Sequence, residues 1–231
     1  MKNPIILLLL LLCGSQPVWS QSFAARFQSF SRQAPSFVTL QAGETLAGHF
    51  KGGTFKKGLF KQIAFEDTVA GETRKIMATE IASMKLVPST IGRIGATMEA
   101  TQSITRIGNT DLNQLDADFV YFQQALLPDK KGTTVLLQKV NPGFDSKIQV
   151  YDDPWAQETA GLEVGGMAVS GGNVKSYYLI RDGRAVKVFK STYKKEFANI
   201  YGDCPALMEA FDDIDWLDFA KHVAAHEQLC D

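Results

Sequence analysis

The stretch KSYYLIRDGRAVKVFK, residues 175–190, decides the fold. Aromatic and β-branched residues, which prefer strands, lie on both sides of Asp182-Gly183. Asp-Gly is a preferred two-residue turn between antiparallel strands, because both of its positions require a positive φ. The stretch therefore predicts a β-hairpin with strands at 175–181 and 184–190.

Beyond the hairpin the period of the apolar residues changes from two to about 3.6, which indicates helices. Ser191 or Thr192 is a candidate cap for a first helix that ends at Gly202. Asp203 is a candidate cap for a second helix, and Asp213 for a third. Apolar residues recur at helical spacing in the three segments: Tyr193, Phe197, Ile200, Tyr201; Leu207, Met208, Phe211; Trp216, Leu217, Phe219, Ala220, Val223 and Ala224. Residues 175–231 thus form a hairpin followed by two or three helices.

Toward the N-terminus, residues 152–174 are rich in glycine and poor in apolar anchors, which predicts a mobile surface loop. Residues 36–151 form a β-rich region, with residues 88–114 left unassigned. Its predicted strands are 37–40, 45–51, 60–65, 73–77, 81–87, 118–126, 133–140 and 147–151. The expected fold class is α+β, with one or two antiparallel meanders followed by C-terminal helices, in one domain or two.

The first 20 residues have the pattern of a secretory signal peptide. Lys2 supplies the positive charge, residues 5–12 are apolar, and small residues precede a cleavage position near Ser20. The apolar run is too short to span a bilayer, which takes about 20 helical residues. Acylation of Cys13 is an alternative, although Leu12 is too large for the position before a lipidated cysteine. We therefore expect export to the periplasm or cell envelope, or secretion, without a transmembrane segment in the mature chain.

Residues 21–35 carry Phe23, Phe27 and Phe30 at helical spacing. This pattern indicates an N-terminal arm or a short amphipathic helix, packed on its own domain or on a membrane surface.

Cleavage leaves Cys204 and Cys230 as an even pair in a compartment that oxidises thiols. We therefore predict a disulfide that ties the end of the chain to the preceding helices.

The charge of the mature chain is nearly balanced: removal of Lys2 with the signal leaves 23 Lys and Arg against 25 Asp and Glu. Because a nucleic-acid partner requires a basic excess, we expect none.

Candidate catalytic motifs are weak. Asp152 and Asp153, with Glu158, are better explained by turn chemistry than by acid-base catalysis. Residues 171–176 lack the Gly-Lys pair of a phosphate-binding loop, and Ser170 lacks the glycines of a nucleophile elbow. These motifs predict neither catalytic residues nor a cofactor.

His222 and His226, one helical turn apart with Cys230 a further turn on, form the one arrangement typical of metal ligands. The protease signature His-Glu-x-x-His is absent, and a disulfide would remove Cys230 as a ligand. The main expectation is therefore that the protein has no metal site. A metal site formed by His222 and His226 is the alternative.

The C-terminal third, from YYLIRDG through KVFKSTYKKEFANIYGDCPAL to Cys230, resembles a module of exported proteins of Bacteroidetes bacteria. Those proteins combine a tyrosine-rich hairpin with helices, an Asp-Cys-Pro turn and a last cysteine, matched here by Asp203, Cys204, Pro205 and Cys230. The stretches GETLAGHF and KQIAFED are similar to their first strands. Because their activity is uncharacterised, the resemblance implies a compartment and an architecture but no reaction.

The function expected from these features is a non-catalytic binding or structural module, with residues 152–174 presented to an envelope protein or a glycan. A hydrolase that uses carboxylates or His49 in a cleft is the first alternative. A metal-binding protein that uses His222 and His226 is the second.

Overall fold

The computed structural model describes residues 21–101, 118–129, 132–156, 163–164, 167–168 and 176–230, with the backbone alone for 98–101, 163–164 and 167–168. The predicted signal peptide and most of the predicted mobile loop lie outside these ranges. The strands are β1 Pro35–Leu40, β2 Thr45–Lys56, β3 Leu59–Asp67, β4 Glu72–Met77, β5 Ile81–Leu86, β6 Val120–Leu126, β7 Thr134–Lys139, β8 Ile148–Asp152, β9 Glu163–Val164, β10 Met167–Ala168, β11 Ser176–Arg181 and β12 Arg184–Phe189. The α-helices are α1 Thr90–Thr101, α2 Tyr193–Tyr201, α3 Pro205–Ala210 and α4 Phe219–Leu229, with short 3-10 helices at Ala78–Glu80 and Trp216–Asp218.

A ten-stranded antiparallel sheet runs in the order β12-β11-β8-β7-β6-β5-β1-β2-β3-β4, and β9 pairs separately with β10. Of the four α-helices within the described ranges, three follow the last strand. The predicted α+β class, an antiparallel meander followed by C-terminal helices, is therefore confirmed. Helix α1 lies between β5 and β6, in the region that the sequence left unassigned.

The first half of the sheet is strongly curled. Phe60 on β3 and Phe122 on β6 are separated by three intervening strands, yet their ring centroids lie 5.3 Å apart. In a flat sheet, strands this far apart are separated by roughly 19 Å. Register shifts along the β2–β3 ladder, between Phe50 and Gly52 and again between Thr54 and Phe55, are bulges of the kind that bend a sheet.

The concave face of the curled half encloses a first core, in which Phe30 contacts both Phe50 and Phe122. A second core lies where the C-terminal helices pack on β8, β11 and β12. It is built from sheet residues and helix residues that are all buried: Ile148, Val150, Leu179, Val188, Tyr193, Phe197, Tyr201, Leu207, Trp216, Phe219, Ala220, Val223, Ala224 and Ala225.

The helical alternative for residues 21–35 is wrong, because this segment is extended. Phe23 packs in the second core, whereas Ala25, Phe27 and Phe30 pack in the first. Phe23, Ala25 and Phe27 thus follow the period of two that an extended chain imposes. The segment connects the two cores.

The hairpin at 175–190 forms as predicted. Asp182 and Gly183 have φ values of 50° and 73°, which is the conformation that the turn requires. The first C-terminal helix also ends where expected, at Gly202, whose amide donates to the carbonyl of Ala198. Thr192 stands at the N-cap position of this helix, but its side chain makes no capping bond.

Two predicted caps are wrong because their carboxylates have cationic partners. Asp203 accepts from both terminal nitrogens of Arg181, and Cys204 occupies the N-cap position of α3. Asp213 lies 2.9 Å from Nζ of Lys194. The cap that forms belongs to Asp215, whose carboxylate accepts from the amide of Leu217 at 2.9 Å.

Cys204 and Cys230 are paired at disulfide distance, with their Cα atoms 5.6 Å apart. The predicted pairing is confirmed in this sense, and it ties the end of α4 to the start of α3. Within the described ranges, no helix has both the length and the apolar character needed to cross a membrane.

Candidate ligand-binding cavity

A cavity of about 360 Å³ opens where β7 and β8 separate. The ladder between these strands is reduced to Lys139 opposite Tyr151. On one side of this pair Val140 donates to Val150, but on the other side Gln138 and Asp152 lie on the cavity wall. We call this space the β7–β8 cavity.

Most of the described residues that line the β7–β8 cavity are apolar or aromatic, but polar atoms make up nearly half of its surface, and four of the lining side chains are polar. Its apolar members are Phe27, Phe30, Phe55, Leu59, Phe60, Phe122, Leu136, Leu137 and Pro154. Its polar members are Arg26, Gln28, Gln138 and Asp152. A concave apolar wall with a few polar groups is typical of small-molecule sites, and the volume lies in their usual range of about 300–1,000 Å³.

The turn between β2 and β3 closes one side of the cavity. Lys57 and Gly58 both have positive φ, 53° and 78°, so the two strands extend to a tight turn. Gly58 approaches Pro154 so closely that a Cβ atom there would lie 3.0 Å from the Cβ of Pro154. The predicted strands 45–51 and 60–65 were therefore too short, and their missing ends carry Phe55 and Leu59 into the wall.

Gln138 fixes the backbone of Arg26. The Gln138 side chain donates from Nε2 to the carbonyl of Ala25 at 2.7 Å, and Oε1 accepts from the amide of Phe27 at 3.1 Å. These two bonds hold the peptide groups on both sides of Arg26, as a neighbouring strand would. The amide of Ala24 adds a bond to the carbonyl of Val140 at 2.6 Å. The position of Arg26 at the cavity is thus preorganised.

Arg26 and Asp152 form an ion pair in the wall of the cavity. Nε of Arg26 lies 3.2 Å from Oδ2 of Asp152, and the two side chains are 31% and 11% exposed. The arginine side chain is therefore the more exposed of the two. Because a guanidinium has five N–H donors, one contact through Nε does not exhaust its capacity.

The predicted carboxylate pair has two structural roles. Asp152 pairs with Arg26, whereas the buried Asp153 accepts from Ser176 at 2.7 Å and contacts Nζ of Lys187 at 2.6 Å. The amide of Trp155 also donates to Asp153, which is the turn chemistry expected there. Glu158, Ser170 and residues 171–175 lie outside the described residues. Ser176 alone of the candidate phosphate loop is described.

His49 lies on the sheet surface and does not line the β7–β8 cavity. Its Nδ1 is 3.0 Å from Oε2 of Glu66, which also lies 2.8 Å from Nζ of Lys51. Lys51, and to a smaller extent His49, lower the pKa of the Glu66 carboxyl. This solvated cluster of three charged or polar groups is formed across the β2–β3 ladder.

His222 and His226 are both buried in α4. Nδ1 of His222 lies 2.7 Å from the hydroxyl of Tyr193. Its Nε2 and both ring nitrogens of His226 have no hydrogen-bond partner among the described residues. The described part of the chain contains no group of three or more His, Cys, Asp or Glu side chains placed to hold a metal ion.

The described residues form an antiparallel α+β fold with a cavity whose lining residues are mostly apolar or aromatic. Protein-family models, curated proteins and solved structures give no match to this chain. The cavity is therefore the feature that bears on function.

The sequence analysis did not identify Arg26 or Gln138 as site residues. The alternation of Phe23, Ala25 and Phe27 was the available sign of an extended segment, in which the side chain of Arg26 lies on the opposite side from theirs.

Proposed function

We propose that this chain is an exported, non-catalytic binding module that holds a small molecule in the β7–β8 cavity. One observation carries the proposal: apolar and aromatic residues line the cavity together with the Arg26–Asp152 ion pair, and Gln138 holds the backbone of that arginine. Preorganised polar groups in an apolar cavity favour binding, because little ordering is required when the ligand enters.

Three features support the compartment. The first 20 residues have the pattern of a signal peptide, the last two cysteines are paired, and the C-terminal third resembles a module of exported proteins. We propose release near Ser20 into the periplasm, cell envelope or medium. Mass spectrometry of the purified mature protein tests this: an N-terminus at or near Gln21 is expected, and an acylated N-terminal Cys13 would contradict it.

Binding is tested with N-phenyl-1-naphthylamine, an uncharged probe whose fluorescence rises in apolar surroundings. We expect a saturable signal with the mature protein. The variant Gln28→Trp places a large ring at the cavity wall on an exposed residue, so it should weaken binding without disturbing the core. Arg32→Gln, an exposed change outside the wall, is the control.

A signal that is unchanged in Gln28→Trp would show that the probe binds elsewhere and would contradict the proposed site. Presentation of residues 152–174 to an envelope protein or glycan stays a separate prediction. A pull-down from envelope extracts with and without that segment tests it.

A further inference from the structure

We infer that the ligand of the β7–β8 cavity is a small organic anion, with a flat apolar body and a carboxylate or sulfonate that binds to Arg26. This inference rests on the proposed function and narrows it to one chemical class. It is carried by the charge, the geometry and the shape of the wall.

The charge on the wall favours an anion. Among the described lining residues Arg26 is the one cation and Asp152 the one carboxylate. The side chain of Arg26 is 31% exposed and that of Asp152 11%, so a ligand from solvent can reach more of the arginine side chain than of the aspartate. A cationic ligand would meet repulsion from Arg26, whereas an acidic group adds a second anion to an already oriented cation.

The geometry of the ion pair leaves room for this second anion. Asp152 contacts Arg26 through Nε, on one edge of the guanidinium. The planar fork of an arginine matches a carboxylate or sulfonate with two parallel hydrogen bonds. Asp152 thus occupies the Nε edge of the guanidinium, while Gln138 holds the backbone of Arg26.

The shape of the wall selects the body of the ligand. Phe55 and Phe60 have ring centroids 4.3 Å apart, and Phe55 is 52% exposed. Exposure of a large aromatic side chain at the rim provides a surface on which a flat ring stacks. A volume of about 360 Å³ lies near the lower end of the usual range for small-molecule sites and suits a body of about two rings.

The test compares two probes with the same aromatic body. 1-Anilinonaphthalene-8-sulfonate carries an anionic group, and N-phenyl-1-naphthylamine lacks it. At low ionic strength we expect the mature protein to bind the sulfonate about tenfold more tightly, as a charge-assisted bidentate contact implies. Arg26→Gln should remove this preference, so that the variant binds the two probes with similar affinity. Arg26→Lys should retain part of it, and Arg32→Gln all of it.

The outcomes are distinguishable. Equal affinity of both probes for the mature protein would overturn this inference and leave the proposed function intact. Absence of binding by either probe would overturn both, because neither the uncharged nor the anionic aromatic compound would then bind in the cavity. A preference unchanged in Arg26→Gln would place the sulfonate at another cation and overturn the inference.

A second variant covers the case in which Arg26→Gln does not fold, as judged by circular dichroism. Asp152→Asn removes the competing carboxylate with little change in shape. Sulfonate binding should become several-fold tighter relative to binding of the uncharged probe. A loss of sulfonate affinity, or no change, would contradict the role given to Arg26.

Discussion

The hydroxyl of Tyr193 lies 2.7 Å from Nδ1 of His222, and both side chains are fully buried between the sheet and helix α4. Burial lowers the pKa of His222 to about 4. Burial, with a smaller effect of Arg181, also lowers the pKa of His226. The second core therefore folds with neutral histidines.

We predict that acidification destabilises the protein through these histidines. The unfolded chain takes up the His222 proton near pH 6.5, whereas the folded chain does so only near pH 4. Between these values the unfolded state binds more protons, so the free energy of unfolding falls as the pH is lowered. For His222 the fall amounts to about 3 kcal/mol.

Urea denaturation at pH 7, 6, 5 and 4 measures this dependence, with His222→Gln as the comparison. The variant is expected to be less stable at pH 7, because it loses the Tyr193 bond, and to show a shallower fall with pH. Parallel curves for the two proteins would mean that other groups carry the pH dependence.

Gln138 should matter for stability as well as for the site. In Gln138→Ala the carbonyl of Ala25 and the amide of Phe27 lose their partners. Each unsatisfied buried group costs about 1–3 kcal/mol, so we expect a loss of about 2–5 kcal/mol in the free energy of unfolding. The matched control is Gln123→Ala on β6, a half-buried position outside the β7–β8 cavity. Equal losses in the two variants would show that Gln138 does not hold the N-terminal segment.

The Cys204–Cys230 pair, 26 positions apart, should stabilise the protein by about 3 kcal/mol, because it restricts the unfolded chain. Thermal unfolding with and without a reducing agent measures this contribution, and the double variant Cys204→Ala/Cys230→Ala serves as the control that no longer responds. Thiol labelling of the denatured, non-reduced protein should find no reactive cysteine. Two reactive thiols would contradict the pairing.

Local signals in the sequence predicted the parts of the fold that local chemistry determines. The hairpin at 175–190 depends on its own Asp182-Gly183 turn, and α2 depends on its own apolar stripe and on Gly202. The disulfide was predicted from the expected compartment and the even number of cysteines that signal cleavage would leave. The residues that determine the hairpin and α2 are close together in the sequence, and the disulfide involves only two cysteines.

The N-terminal segment and the cavity were not predictable in this way, because their bonds are non-local. Phe27 and Gln138 are separated by 111 positions, so nothing near Phe27 indicates that its amide will be held in an extended chain. Arg26 and Asp152 meet for the same reason, only after the sheet has formed. The aromatic spacing at 23, 27 and 30 suited a helix, and the tertiary bonds overrode it.

The close packing of β2 against β3 in the curled half of the sheet can be tested by substitution of Gly48, with Gly95 in α1 as the comparison. A Cβ atom at Gly48 on β2 would lie 1.8 Å from the carbonyl oxygen of Glu66 on β3, which is a backbone atom of the neighbouring strand. The strand must therefore shift in Gly48→Ala, and we expect a loss of about 2 kcal/mol or more in the free energy of unfolding.

Gly95, which is exposed in α1, has no atom within 4 Å of the corresponding Cβ position. Because alanine loses less conformational freedom than glycine in a helix, Gly95→Ala should gain about 0.5–1 kcal/mol. Chemical denaturation of both variants beside the wild type gives the comparison. If Gly48→Ala were as stable as the wild type, β2 and β3 would have to lie farther apart than the structure places them, and the curl that forms the wall of the β7–β8 cavity would be in doubt.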